Sequence, residues 1–256
     1  EAPDERELHC GWCGRAENAW QCEECGSFRL RAQVVGARRT AEELGRAFPA
    51  VPVRTSGRDH VLDEVSDRPA LVVCTPGAEP VAAGAGYAAA LLLDGWAMLT
   101  RPDLRAGEEA LRRWIAAASL VRADGQVVVV AEPTLRPVQA LVRWDPVGHA
   151  VRELAERAQL GFPPVSRMAA VAGRGEALEA FLGAVELPAD AEVLGPVPVP
   201  GRRGEPSVGE RALIRVPPGS GAALAAALKS AQAARMARGA QAGDPIRIRI
   251  DPPDIG

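Results

Sequence analysis

The sequence predicts an α/β protein: a parallel-stranded α/β portion entered through metal-binding knuckles and followed by a smaller α+β domain. Three observations predict it. Between residues 51 and 130, short apolar runs alternate with stretches of helical spacing, as in a sheet whose parallel strands are buried on both faces. After Pro163-Pro164 the segments read strand, helix, strand, strand, helix, strand, the order of a ferredoxin-like sandwich. Ahead of both stand Cys10-Gly-Trp-Cys13 and Cys22-Glu-Glu-Cys25, two C-x-x-C knuckles close together.

The knuckles come first in the chain. Each is followed by a glycine, Gly14 and Gly26, suited to a tight turn whose N–H groups point back at the sulfurs. Four thiols at this spacing suit a tetrahedral ion, and zinc is the usual occupant. A pair of disulfides and four unrelated buried thiols are the alternatives. C-x-x-C bridges close very small loops, and only Cys74 remains elsewhere, which disfavours a disulfide scaffold. Trp12 and Trp20 read as shields for the metal, and His9 adjoins a site that four thiolates already close.

Residues 30–35 alternate as a short strand. Thr40 and Glu43 have capping-box spacing for a helix with Leu44, Ala47 and Phe48 on one face, stopped by Pro49. Strands are expected over 51–54, 71–74, 88–93 and 127–130. A helix is expected over 107–120, with Leu111, Trp114, Ile115 and Ala118 in register. Helices over 135–142 and 146–160 follow, ended by Gly161-Phe-Pro163-Pro164, which marks a domain boundary. Beyond it come strands at 168–171, 192–194, 212–216 and 246–250 and helices at 177–185 and 222–238. A proline- and glycine-rich loop over 196–204 carries Arg202-Arg203 at its tip. The division is knuckles over 1–30, an α/β lobe over 31–145, a helical connector over 146–164 and an α+β domain over 165–256.

Composition sets outer bounds. With 47% hydrophobic and 25% charged residues in 256, the chain has the makings of a folded core and is not disordered. It has no apolar run long enough to span a membrane and no signal peptide, so no membrane partner and a cytoplasmic setting are expected. The net charge of −3 does not advertise nucleic-acid binding. Of 30 basic residues only Lys229 is lysine, as a GC-rich genome produces, and it lacks the glycine frame of a phosphate-binding loop. The absence of an initial Met suggests a fragment.

Seven stretches, in order, are similar to one known family. After the knuckles, Val35-Gly36-Ala-Arg-Arg39-Thr-Ala-Glu42-Glu43-Leu44 with Phe48-Pro49 resembles G-T-E-R-x-E-E-x-L…F-P. Leu71-Val-Val-Cys-Thr75-Pro-Gly77 resembles I-L-I-G-T-Q-M. Asp94 with Arg101-Pro102-Asp103-Leu104-Arg105-Ala106-Gly-Glu108 is similar to D…x-P-D-F-R-A-x-E-R. Glu153 to Arg157, followed by Pro163-Pro164, resembles E-L-x-x-R…P-P. Leu194-Gly195-Pro196 matches L-G-P, and Ile250-Asp251-Pro-Pro-Asp254 is similar to I-D-V-D-P. These are signatures of primosomal protein N′, the PriA replication-restart family.

The resemblance implies that the α/β portion is the second RecA-like lobe of an ATP-dependent DNA helicase, with zinc knuckles inserted, and that the closing domain is the family's C-terminal domain. It implies branched or forked DNA, single-stranded-DNA-binding protein and other primosome components as partners. The DNA-binding domains and the first lobe would lie upstream of Glu1. It also implies eight cysteines in four pairs around two nested zincs. On that register Cys10/Cys13 and Cys22/Cys25 serve different ions, so one shared ion and two separate ones both stay open.

Departures from the family pattern bear on activity. Glu79-Pro-Val-Ala82 stands where the family has A-K-G-H, and Trp114 to Arg122 stands where Q-V-A-G-R-A-G-R supplies arginine fingers. Arg122, before Asp124-Gly125, reads as a surface residue. Since an arginine finger carries several orders of magnitude in phosphoryl-transfer rate, the expectation is a degenerate, actinobacterial-type member without a working ATPase, and no catalytic residues are assigned. Arg247 and Arg249 alternate against Ile246, Ile248 and Ile250, as on a solvated sheet face. With Arg202 and Arg203 they are the candidates for DNA-backbone contact. His60 and His149 read as ordinary polar residues, and Glu42-Glu43 and Glu108-Glu109 as first-turn carboxylates. The expected function is replication restart through fork binding and reloading of the replicative helicase. The C-terminal half of an active 3′-5′ helicase and a zinc-containing protein-interaction adaptor are the alternatives.

Overall fold

The computed structural model describes residues 8–9, 16–17, 21, 26, 36–57, 60–93, 95–101, 103–199, 209–238 and 243–252. The chain divides into two compact units. One comprises Arg29–Arg101 and Arg105–Ala150; the other comprises Glu1–Phe28, Pro102–Leu104 and Val151–Gly256. The chain opens with an antiparallel pair, β1 (Leu8–His9) and β2 (Ala16–Glu17), with His9 opposite Ala16. The strand expected at 30–35 lies outside the described residues.

The unit built on Arg29–Ala150 runs α1 (Ala37–Ala47), β3 (Val53–Ser56), β4 (Glu64–Val65), β5 (Leu71–Cys74), β6 (Val81–Ala82), β7 (Tyr87–Leu92), α2 (Gly95–Leu99), α3 (Ala106–Ala118), β8 (Val121–Val129) and α4 (Arg136–Arg143). Its strand pairs are parallel, as the apolar runs predict: β3 with β5, β4 with β6, β7 with β8. Among the described residues they form separate two-stranded sheets, not one continuous sheet. The core gathers Leu92 of β7, Ala110, Leu111 and Trp114 of α3, and Val138, Ala140 and Leu141 of α4. Four- and three-residue spacing brings Ala110 and Leu111 beside Trp114 on α3, and three-residue spacing brings Val138 beside Leu141 on α4. Gly95 is needed here, because a Cβ would lie 2.9 Å from Ala131 Cβ and 3.2 Å from the Trp114 ring.

Helix α1 corrects the capping-box reading. It starts at Ala37 with Gly36 as N-cap, and the Thr40 N–H donates to the Gly36 carbonyl, so Thr40 lies inside the first turn. Arg38 and Arg39 donate to Glu42 and Glu43 one turn on, at 3.3 and 3.1 Å. These i,i+4 pairs draw the two carboxylates into mid-helix, away from the N-terminus. Phe48 caps the end, its N–H on the Leu44 carbonyl, and faces solvent while Ala41 turns inward. Glu108 and Glu109 do stand in the first turn of α3.

Helix α5 (Pro146–Leu160) has the bounds the sequence predicts. After it come β9 (Arg167–Gly173), α6 (Gly175–Ala184), β10 (Glu192–Val199), β11 (Gly209–Val216), α7 (Gly221–Ala237) and β12 (Arg247–Ile250). The sheet order is β10-β11-β9-β12, antiparallel throughout, which is the ferredoxin-like arrangement. Ala169 and Val171 of β9 and Ile214 and Val216 of β11 project from one face. They pack with Leu178 and Phe181 of α6, Leu224 and Leu228 of α7, and Ile246. Truncating one such buried leucine costs about 2–5 kcal/mol.

The described part of the loop predicted over 196–204 is strand. Residues 196–199 belong to β10, which crosses a bulge where Gly195 and Pro196 oppose one residue of β11, with Gly195 at φ +97. Prolines are admitted because β10 is an edge strand, whose outer N–H groups pair with nothing in the sheet. Residues 200–208 lie outside the described residues.

Candidate metal and nucleic-acid sites

Cys10, Cys13, Cys22 and Cys25, with Gly14, Trp12 and Trp20, lie outside the described residues, and so do Arg202 and Arg203. What frames the thiols is described. The β1–β2 pair stands on either side of the first knuckle in sequence. Around the second, Gln21 Nε2 donates to the Gly26 carbonyl at 2.8 Å, and Gly26 has φ +65. That left-handed conformation is the reason for a glycine after the knuckle. By its chemistry the donor set, four thiols in two C-x-x-C pairs, fits a thiophilic tetrahedral ion. Among the described residues no cluster of His, Cys, Asp and Glu forms a candidate metal site. Cys74 belongs to no such cluster, and burial, then the charge of Glu79, pushes its thiol up to about 11.

Arg247 and Arg249 are exposed on β12, an edge strand, while Ile246 and Ile248 turn into the core. Pairing adds a third arginine that the local pattern could not reveal. Arg247 lies opposite Ala172 of β9, and Ala172 opposite Arg211 of β11, so the three form one row across the sheet on the face away from the helices. Arg249 occupies the next row on that face, opposite Ala170. Arg215 is committed elsewhere, to the Leu160 carbonyl at 2.8 Å and to Glu192.

The two departures from the helicase pattern have local structural roles. After β5, the Gly77 N–H donates to both oxygens of Glu79, at 2.8 and 3.0 Å, and Gly77 has φ +94. Arg113 Nη1 donates to the Pro76 carbonyl at 2.8 Å and its Nε donates to Glu109 at 2.6 Å. The turn is thus closed by a carboxylate and a helix-borne guanidinium. Hydrogen bonds from Arg112 and Arg113 hold the Glu109 carboxyl down at about 2. Arg122 pairs with Asp124 at 3.0 Å, partly exposed on β8, as a surface residue does.

Other polar residues prove structural without a sequence signal. Ser56 is buried, its hydroxyl donating to the Ala78 carbonyl at 2.6 Å and accepting from the Leu62 N–H at 3.0 Å. Arg157 is buried in α5, donating to the Leu104 carbonyl at 2.8 Å and the Pro163 carbonyl at 3.4 Å, with Glu153 at 3.7 Å. His149, which the sequence presents as an ordinary polar residue, is 2% exposed, and neither ring nitrogen has a hydrogen-bond partner.

This geometry defines an α/β chain closed by a ferredoxin-like domain with an arginine-bearing sheet face. Residues 158–253 match the family described as the primosomal protein N C-terminal domain. A "Probable replication restart protein PriA" of Mycobacterium leprae (strain TN) is 52% identical over 256 residues, covering 96% of this chain and 39% of that protein. One of the same name in Mycobacterium tuberculosis (strain CDC 1551 / Oshkosh) is 50% identical over 263 residues, covering 96% and 40%. The chain belongs to the PriA replication-restart family and spans about two fifths of the length of these relatives.

Proposed function

We propose that this chain is part of a replication-restart primosome protein that binds branched DNA at stalled forks and helps reload the replicative helicase. The observation that carries the reading is the likeness to replication restart proteins along 96% of the chain. The lobe over 31–145 is proposed as a degenerate RecA-like helicase lobe, retained as scaffold, with ATP turnover lost. The parallel β3–β5 and β7–β8 pairs support that reading, and Glu79 and Arg122 in structural roles support the loss of motor chemistry. Cys10, Cys13, Cys22 and Cys25 are proposed to hold zinc, which would fix the local chain in the absence of a sizeable core. Arg247 and Arg249, together with Arg202 and Arg203, are proposed to contact DNA phosphates, with single-stranded-DNA-binding protein and other primosome components as protein partners.

The test is the whole polypeptide on forked DNA. Binding in a gel shift that weakens steeply with salt, and no DNA-stimulated phosphate release from ATP, is the expected pair of results. Stimulated turnover overturns the scaffold reading in favour of an active helicase. Failure to bind forks, with partner binding intact, leaves a protein adaptor instead.

A further inference from the structure

The four-stranded sheet of the closing domain has one face under α6 and α7 and one face away from them. The second face is not uniform. At one end Arg215, opposite Met168 of β9, donates to the Leu160 carbonyl at 2.8 Å, and Met168 is fully buried. Toward the other end Arg211 and Arg247 stand on either side of Ala172, and Arg249 lies opposite Ala170. Arg247 and Arg249 are exposed, and Arg211 and Ala172 are half-buried. The two arginines of the row spring from strands about 10 Å apart, and Arg249 follows Arg247 by about 7 Å along β12. The carboxylates in register with the closed end are paired, Glu192 with Arg215 and Asp251 with Arg167. Glu176 and Glu179 stand on α6, the helix that packs against the opposite face.

Sheets that hold single-stranded nucleic acid place aromatic side chains where bases can stack on them. None of these four strands carries an aromatic residue. The domain over 158–253 has two, Phe181 in the core and Phe162 in the turn before β9. What the open end of the face offers is guanidinium groups around a floor of alanine. Such forks bond phosphate oxygens and need no base to stack. A patch of this size meets more charge on a duplex, with one phosphate per about 1.7 Å of axis, than on one strand, with one per about 3.4 Å.

We infer that this face receives the phosphates of a duplex arm of the fork and not its single strand, with Arg211 as a third contact beside Arg247 and Arg249. This rests on reading the chain as part of a fork-binding protein. At equal salt the 256-residue chain should bind a blunt duplex about ten-fold more tightly than a single strand of the same length. Arg211→Gln, which keeps much of the side-chain stem, should weaken duplex binding about as much as Arg247→Ala and take about 1 off the slope of log K against log salt. Its binding to the single strand should barely change. If Arg211→Gln unfolds the domain in a thermal melt, the duplex preference of the unsubstituted chain and the slope of Arg249→Ala still decide. Equal or tighter binding of the single strand overturns the inference, and so does a folded Arg211→Gln with duplex affinity and slope unmoved. Binding of polyglutamate with no binding of duplex also overturns it, and assigns the row to an acidic protein. Fork binding by the longer polypeptide is measured alongside. Its loss with the duplex preference intact counts against the functional reading; its retention without that preference counts against the duplex assignment alone.

Discussion

Arg157 shows why a charged residue can be a structural anchor. Its guanidinium reaches the Leu104 carbonyl, the Pro163 carbonyl and Glu153 from a largely buried position, tying α5 to the turn before the sheet and to a segment 53 residues earlier. A planar fork serves two carbonyls and a carboxylate at once, which a single ammonium does not. Arg157→Ala strands the carbonyls and a partly buried Glu153, so a loss of about 2–4 kcal/mol is expected in urea melts. Arg157→Lys should recover only part of it; full recovery would contradict the fork argument. Cys74 yields a pH prediction. Its thiol is raised from 9.0 to about 11 in the fold, so the folded state keeps a proton that the unfolded state releases. The stability it contributes is therefore complete below about pH 9 and lost as pH climbs toward 11. Urea midpoints measured at pH 8 and pH 10.5 should fall less in Cys74→Ala than in the parent. An equal fall in both means that other groups carry the alkaline sensitivity.

The arginine-bearing face is a property of elements. Ile246 and Ile248 anchor β12 in the core while Arg247 and Arg249 project to the other side, so changing the arginines leaves those two anchors in place. For Arg247→Ala and Arg249→Ala, fork affinity should fall with circular dichroism unchanged, and the salt slope of log K should shrink by about 1 for each phosphate no longer neutralised. A slope unmoved by both substitutions would remove β12 from the DNA surface. The alternation that exposes these arginines is legible in Ile246-Arg-Ile-Arg-Ile because it is local. Arg211 is not, since its place beside Arg247 is set by the register of β11 and β12 on β9. The same distinction explains other differences. Helix α5 and strand β5 have their predicted bounds, being delimited by prolines and a turn. Strand β10 runs past its predicted end because an edge position tolerates Pro196 and Pro198. Thr40 does not cap α1, despite its spacing, because two Arg–Glu pairs favour a helix begun four residues earlier. Ser56 and Arg157 bond to residues that no spacing rule connects to them.

At the scale of the whole molecule, the described residues form two cores. One is built from Leu92, α3 and α4, the other from the ferredoxin-like sheet with α6 and α7. Both are built from aliphatic and aromatic side chains, whereas 26 residues at the start of the chain are too few to bury such a core. Metal and fold are then separable. Chelation of the 256-residue chain should release any bound zinc and make Cys10, Cys13, Cys22 and Cys25 reactive to a thiol reagent at pH 7, with Cys74 slower to react as a half-buried thiol whose ionisation is pushed up. The cooperative melt reporting the Leu178–Leu228 core should move little, because aliphatic and aromatic packing builds that core. Zinc content distinguishes the two arrangements of the thiols: one tightly held ion per 256-residue chain means that all four share it. Weak binding in that chain, with two ions in the longer polypeptide, means that the pairs serve different ions completed by cysteines elsewhere. Collapse of the Leu178–Leu228 melt on chelation would refute the separation of metal from fold.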